Sequence, residues 1–283
     1  MRMDDSQVTT AEVKEWKGLH LLHFPLSSCS QKVRILLREK QLEWESHPID
    51  LMREAHVTPW FLGINPRGVV PVLVHDGVVH VESNDILQHL DALPSPADSY
   101  FPLDAAEREV ARQSLAAEDA LHMDLRAITM GFLAPSRLVR KSPKTLEAYE
   151  KDGARDDKRD HEIAWWRDFA KRGITRERAL RSANAFEQAF DVLESRLADG
   201  PWLIGDRISV LEIAWFISIH RVVFAGYPIE HHPRLEAHYR KLLERPAFAK
   251  ETRGRGPAAQ AQKAYRMMRR LTRSTLRHVL ESA

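Results

Sequence analysis

Four consecutive small residues, Ser27-Ser28-Cys29-Ser30, stand where an apolar run, GLHLLHF (18–24), gives way to a helical pattern over 27–40. The first turn of a helix carries unpaired backbone N–H groups and a partial positive charge, which stabilise a thiolate, and a small hydroxyl there can donate to sulfur. Structural roles stand beside that chemistry: Ser28 with Gln31 fits an S-x-x-Q capping box, and Cys29 shares an apolar helix face with Val33, Leu36 and Leu37. A second group is Val69-Val70-Pro71-Val72. Proline at the entrance to a strand either ends pairing or follows a cis bond that turns the preceding backbone toward a ligand. A third is Glu82-Ser83, where a carboxylate and a hydroxyl beside free N–H groups could grip an amino acid's ammonium and carboxylate, or simply cap a helix. Metal ligation is not expected from the histidines: His20 and His23 have opposite strand parity, and His231, His232 and His238 contain no i,i+4 pair.

The elements around these groups follow from periodicity. GLHLLHF reads as a buried strand and EWESHPI (43–49) as a short or edge strand. Val72–His75 and Val78–Val81 flank Asp76-Gly77, a strong signal for a tight hairpin, and Ser83-Asn84-Asp85 can open a helix bearing Ile86, Leu87 and Leu90. The order β-α-β-α-β-β-α within 18–93 predicts an α/β domain with a mixed sheet. Residues 94–104 hold three prolines and read as a linker. An all-helical domain is expected over 105–250, with long helices at 105–133 and 178–198 and a charged, exposed insertion at 136–176. Ser209-x-x-Glu212 is a capping box, with Ile208 and Ile213 in the staple positions.

At 283 residues the chain is long for one core, which favours two modules. With 43% hydrophobic and 29% charged residues it lies far from disorder, and no apolar run is long enough to span a membrane. A polar N-terminus without an apolar core argues against a signal peptide, and one cysteine excludes an internal disulfide, so a cytoplasmic setting is expected. The net charge of +2 hides an asymmetry: eight Lys/Arg against two Glu make 251–283 strongly basic and leave the rest at −4. Nucleic-acid binding by the body is therefore not expected. Within that extension Lys263, Arg266, Arg270, Arg273 and Arg277 recur at steps of 3 and 4, predicting one solvated basic face on a helix packed against the second domain, or else peripheral contact with an anionic surface.

SSCSQKVRILLREK, INPRGVVPVLVHDG and VESNDILQHL, in this order and spacing, resemble the thioredoxin-like N-terminal domain of the cytosolic glutathione transferase superfamily. WLIGDRISVLEIAWF (202–216) resembles the folding motif of that family's helical domain, with Glu212 in place of the usual aspartate. The resemblance implies a glutathione transferase fold, α/β then all-α, with glutathione as co-substrate and a homodimeric assembly. It implies a cis Pro71, glutathione's cysteinyl part held by the backbone of Val70, the γ-glutamyl end held by Glu82 and Ser83, and a thiol-activating group at the start of the first helix. That group is left open. SSCS resembles the zeta-type pattern and points to Ser27; Cys29 ahead of Ser30-x-Lys32 resembles tetrachlorohydroquinone reductive dehalogenases, whose cysteine resolves a mixed disulfide; Ser30 sits where some β-etherases carry their serine. Ser30-Gln31-Lys32-Val33-Arg34, His56, Pro59-Trp60-Phe61 and the insertion resemble ganglioside-induced differentiation-associated proteins. Val69 stands where many members have Gln or Lys for the glycyl carboxylate. An acceptor pocket between the domains is implied, with His122, Met123, Arg126, Met130 and Trp215 as candidates. The implied activity is attack of the glutathione thiolate on a hydrophobic, aromatic electrophile by conjugation, ether thiolysis or dehalogenation. A non-catalytic binding protein is the competing expectation.

Overall fold

A run that is apolar on both parities needs cover on both faces, and β1 (Leu19–His23) is buried along its whole length. It is followed by α1 (Ser28–Glu39), β2 (Glu45–Pro48), the short α2 (Pro59–Leu62), the hairpin β3 (Val72–His75) and β4 (Val78–His80), and α3 (Ser83–Asp91). The computed structural model describes every residue except 152–156, 255 and 283, so Arg255 and part of the charged segment lie outside the described residues. The sheet order is β2-β1-β3-β4, with β1 parallel to β2 and the other neighbours antiparallel. Asp76 (φ 48°) and Gly77 (φ 80°) both adopt the left-handed conformation that a two-residue hairpin turn demands. A side chain at Gly77 would meet the Lys14 carbonyl at 2.2 Å.

Strand alternation divides the core. Leu22, Val72 and Val74 pack with Met3, Val8, Val13, Phe61 and Ile64, so the N-terminal leader, polar in composition, covers one sheet face with its few apolar residues. Leu21 and Leu73, of opposite parity, are equally buried, and α1 packs against α3.

The chain continues through α4 (Ala105–Ala120), α5 (His122–Phe132), α6 (Ser136–Val139), α7 (Pro143–Lys151) and α8 (Asp157–Arg172). The single helix expected over 105–133 is broken at Leu121. Two compact units result: residues 1–98 with 140–172, and residues 99–139 with 173–283. The charged segment, expected as an exposed addition to the helical domain, therefore groups with the thioredoxin-like unit. Its apolar positions explain why, since Ile163, Trp165 and Phe169 are buried, and Thr145 donates a hydrogen bond to the Glu54 carboxylate.

The second unit comprises α4 to α6 with α9 (Arg176–Arg196), α10 (Val210–Phe224), α11 (Pro233–Glu244), α12 (Pro246–Thr252), α13 (Gly256–Leu271) and α14 (Leu276–Glu281). α10 is hydrophobic nearly all round and packs against α4, α5 and α11, as a central helix must. Its capping box is present: the buried Glu212 carboxylate accepts from the backbone N–H of Ser209 (2.8 Å) and of Leu203 (2.7 Å). The tail departs from its expected form. Arg273 at φ 48° ends α13, so the five cations do not share one helix; Arg266 lies over the Phe224 ring (3.3 Å) and Arg269 over Phe132 (4.7 Å), while Met267, Met268 and Leu271 are exposed. Part of the basic face is thus turned onto aromatic rings. Among the described residues no helix is long and apolar enough to cross a membrane.

Candidate functional site

The loop from β1 to α1 delivers the small residues. Ser27 is the N-cap, with extended φ/ψ (−74°, 125°), and its Oγ accepts from the Ser30 N–H at 3.3 Å. The cap thus falls one residue before the Ser28-x-x-Gln31 box read from the sequence. Accepting through a lone pair leaves the Ser27 O–H proton for an outward acceptor. Arg34 braces the loop: Nη1 donates to His23 Nδ1 (2.9 Å) and to the Phe24 carbonyl (3.3 Å), and Nη2 to the Pro25 carbonyl (2.9 Å). Ser30 is fully buried and accepts from the Phe24 N–H at 3.4 Å, so its hydroxyl faces inward. Cys29, the chain's single cysteine, is half-buried in the first turn of α1.

The Val70–Pro71 bond is cis. The loop before it is held from both sides: Asn65 Nδ2 donates to the Val69 carbonyl (2.9 Å), and Arg159 of α8, 1% exposed, donates through Nη1 to the Arg67 carbonyl (2.6 Å). Gly68 (φ 65°) fits there because a side chain would sit 3.1 Å from the His56 carbonyl and 3.4 Å from the Arg159 guanidinium. His56 is itself buried; desolvation, reinforced by Lys141 and Arg159 and opposed by Glu162, pushes its pKa down to about 3.

Glu82 occupies a strained backbone position (φ 65°, ψ 115°) at the entrance to α3, the kind of conformation that costs about 1–3 kcal/mol and tends to persist at binding sites. Its carboxylate forms an ion pair with Arg67. Ser83, the first residue of α3, is buried where the helix presents its unpaired N–H groups. Lys32, 3% exposed, reaches from α1 to Asn84 Oδ1 at 3.4 Å, tying the start of α3 to the helix that bears Ser27. The sequence assigns no role of its own to Arg67, Arg159 or Lys32, although Arg67 and Lys32 fall within the motifs that carry the resemblance. Only the three-residue gap between Arg67 and Pro71 hinted at the first, and nothing local hinted at Arg159. Together these groups have the chemistry that a cradle for a zwitterionic, amide-bearing thiol would use: a cis peptide bond, a helix N-terminus suited to a carboxylate, an acidic side chain suited to an ammonium, and a hydroxyl suited to sulfur.

The acceptor candidates separate by burial. His122, Met123, Arg126 and Met130 lie on the half-buried side of α5, opposite the buried Leu125, Ile128 and Phe132, and Arg126 Nη2 donates to His122 Nε2 at 3.2 Å. Trp215 is corrected to a core residue: it is 2% exposed, and its indole N–H donates to Ser114 Oγ of α4 at 3.0 Å.

Residues 26–93 match the family described as glutathione S-transferase, N-terminal domain, and residues 163–241 the family described as glutathione S-transferase, C-terminal domain. Glutathione S-transferase 1 of Dianthus caryophyllus is 39% identical over 100 residues, covering 35% of this chain and 45% of that protein, so the matched stretch spans under half of that relative. The 2,5-dichlorohydroquinone reductive dechlorinase of Sphingobium indicum is 26% identical over 289 residues, with 80% of each chain covered. The β-etherase LigF of Sphingobium sp. strain SYK-6 superposes with a TM-score of 0.71 at 26% identity, covering 82% of this chain and 98% of that one.

Proposed function

Since the chain belongs to the glutathione S-transferase family, we propose that it is a glutathione-dependent enzyme in which Ser27 activates the thiol of bound glutathione for attack on a hydrophobic, aromatic electrophile. The observation that carries this reading is the placement of the Ser27 hydroxyl at the α1 N-terminus in the unit that also holds the cis Val70–Pro71 bond and the Glu82-Ser83 entrance to α3. The Val70 backbone pairs with the cysteinyl amide of glutathione, Ser83 and the α3 N-terminus take the γ-glutamyl carboxylate, and Glu82 takes its ammonium. Lowering a thiol pKa by about 2 units from its ordinary value of ~8.5 needs roughly 2.7 kcal/mol of differential stabilisation, within reach of one charge-assisted hydrogen bond plus a helix terminus. The thiolate forms the C–S bond and the leaving group departs with its electron pair. The half-buried side of α5, with His122, Met123, Arg126 and Met130, is the proposed contact for the electrophile. A cytoplasmic homodimer is the setting this reading expects.

The test is retention on immobilised glutathione together with turnover of a chloronitrobenzene acceptor. Retention with turnover supports the reading; absence of both leaves a non-catalytic relative of the family and removes the enzyme.

A second reading draws on one observation: Cys29 is half-buried in the first turn of α1, where a thiolate is stabilised. In it, Cys29 attacks the sulfur of an aryl glutathione thioether, the arene leaves as a carbanion that takes a proton, and a second glutathione thiolate releases the enzyme as glutathione disulfide. Cys29→Ser distinguishes the two, since it abolishes reductive dehalogenation and leaves Ser27-dependent conjugation within about twofold.

A further inference from the structure

On the sheet face covered by the N-terminal leader, parallel pairing sets His20 of β1 opposite Glu45 of β2 and Leu22 opposite His47. Residues two apart on a strand share a face, so Glu45 and His47 both converge on His20. His20 Nδ1 lies 3.0 Å from His47 Nε2; Glu45 Oε2 lies 3.5 Å from His20 Nδ1, and Glu45 Oε1 3.5 Å from His47 Nε2. All three ligand atoms fall within 4.8 Å of one another. We propose that His20, His47 and Glu45 form a binding site for a divalent cation of the zinc type, separate from the glutathione cradle, that clamps the edge strand β2 to β1.

Four features support it. The donor set, two imidazoles and a carboxylate, suits zinc and its neighbours rather than magnesium or calcium. The His20 ring is pre-oriented: its Nε2 is 2.8 Å from the Lys17 carbonyl, which can only accept, so Nε2 carries the proton and Nδ1 presents a lone pair toward His47 and Glu45. Such an outer hydrogen bond to a carbonyl is the arrangement that fixes tautomer and ring angle in metal-ligating histidines. The His47 ring is held by stacking on Trp16 (4.5 Å, 11° between planes). Finally, the spacing fits: with metal–nitrogen bonds of ~2.05 Å, a 3.0 Å N···N separation corresponds to an N–metal–N angle of about 94°, and relaxing to the tetrahedral angle needs only ~0.3 Å of opening. Glu45 is largely exposed, so a cation has an entry path and one coordination position remains for water.

The same-strand parity that argued against His20 with His23 is silent about this cluster, because its members come from two strands 25 to 27 residues apart. His47 in the free protein donates from Nε2 to His20 Nδ1; cation binding moves that proton to His47 Nδ1, so ligation by the two imidazoles requires no net release of a proton.

The experiment titrates the full chain, stripped with chelator, with Zn²⁺ alone against a chromogenic competitor, and with Co²⁺ read by its visible absorption. One equivalent is expected to bind at micromolar affinity. His47→Ala and His20→Ala each lower that affinity at least tenfold and Glu45→Gln several-fold, whereas His89→Ala, in a histidine cluster on β3 and α3, leaves it unchanged. Quenching of Trp16 fluorescence by bound Cu²⁺, lost in Trp16→Phe, gives a second readout on a protein with intact ligands. Weak or multi-equivalent binding to the wild-type chain, or binding unaltered by His47→Ala, overturns the proposal. Retention on glutathione is measured in parallel, so loss of that function and absence of metal are read independently.

Discussion

Replacing Ser27 removes two things at once, and their magnitudes separate them. As the N-cap of α1 it accepts from the Ser30 N–H; alanine at such a position costs about 1 kcal/mol of stability and glycine only a few tenths. As the proposed thiolate donor it would contribute a charge-assisted hydrogen bond of roughly 1.5–3 kcal/mol, or about 1–2 pKa units on a bound thiol. If that thiol titrates near pH ~6.5 and returns to ~8 without the hydroxyl, the thiolate fraction at pH 6.5 falls from about one half to about 3%, a loss of roughly 15-fold in rate that largely vanishes by pH 9. The assay is kcat/KM for an aryl halide from pH 5.5 to 9.5, with the ultraviolet absorbance of bound glutathione thiolate as a direct check. Ser27→Gly is the decisive variant, because it preserves the fold while removing the donor; Ser27→Thr restores most of the activity. A Ser27→Gly enzyme with an unshifted pH midpoint and unchanged rate would refute the assignment and move the role to Cys29.

Three further outcomes follow from the structure. Arg159→Met withdraws the buried guanidinium from the Arg67 carbonyl and is expected to raise KM for glutathione several-fold with kcat little changed; an unaltered KM means that the charged segment does not support the cradle. Glu212→Ala leaves the Leu203 and Ser209 N–H groups buried without their acceptor and should cost about 2–5 kcal/mol, measured as a lower urea midpoint for the helical unit. His56 is held neutral in the folded protein, with a pKa near 3 against 6.5 when exposed. The unfolded chain therefore takes up a proton that the fold refuses as pH falls below 6.5, and stability present above that pH is lost on the way down toward 3. Between pH 6.5 and 4.5 the loss is of order 2 kcal/mol, and His56→Gln should flatten that part of the pH–stability curve; identical curves would show that His56 is not its source.

Legibility in the sequence followed range. The hairpin at Asp76-Gly77 and the capping box at Ser209 and Glu212 appear as read, because each is settled by residues within four positions. The cis bond at Val70–Pro71 was legible only through resemblance, since an isolated X-Pro bond favours trans. The cap at Ser27 rather than Ser28 turns on where the backbone leaves the extended region, a one-residue difference that composition does not carry. Trp215, a pocket candidate from the sequence, is placed in the core by its burial and by the hydroxyl of Ser114, 101 positions away.

By itself the sequence determined the order of elements, the small residues opening α1, the proline before β3 and the acidic entrance to α3, because helix and strand periodicity and turn chemistry are local. Tertiary structure alone decided which distant groups meet. It placed Arg67 on Glu82, the Arg159 guanidinium of the charged segment on the Arg67 carbonyl in the loop before Pro71, and His20 beside Glu45 and His47. The physical reason is common to all three: strand register and the burial of Ile163, Trp165 and Phe169 bring side chains together by satisfying apolar surface, and the polar contacts form where that packing leaves them.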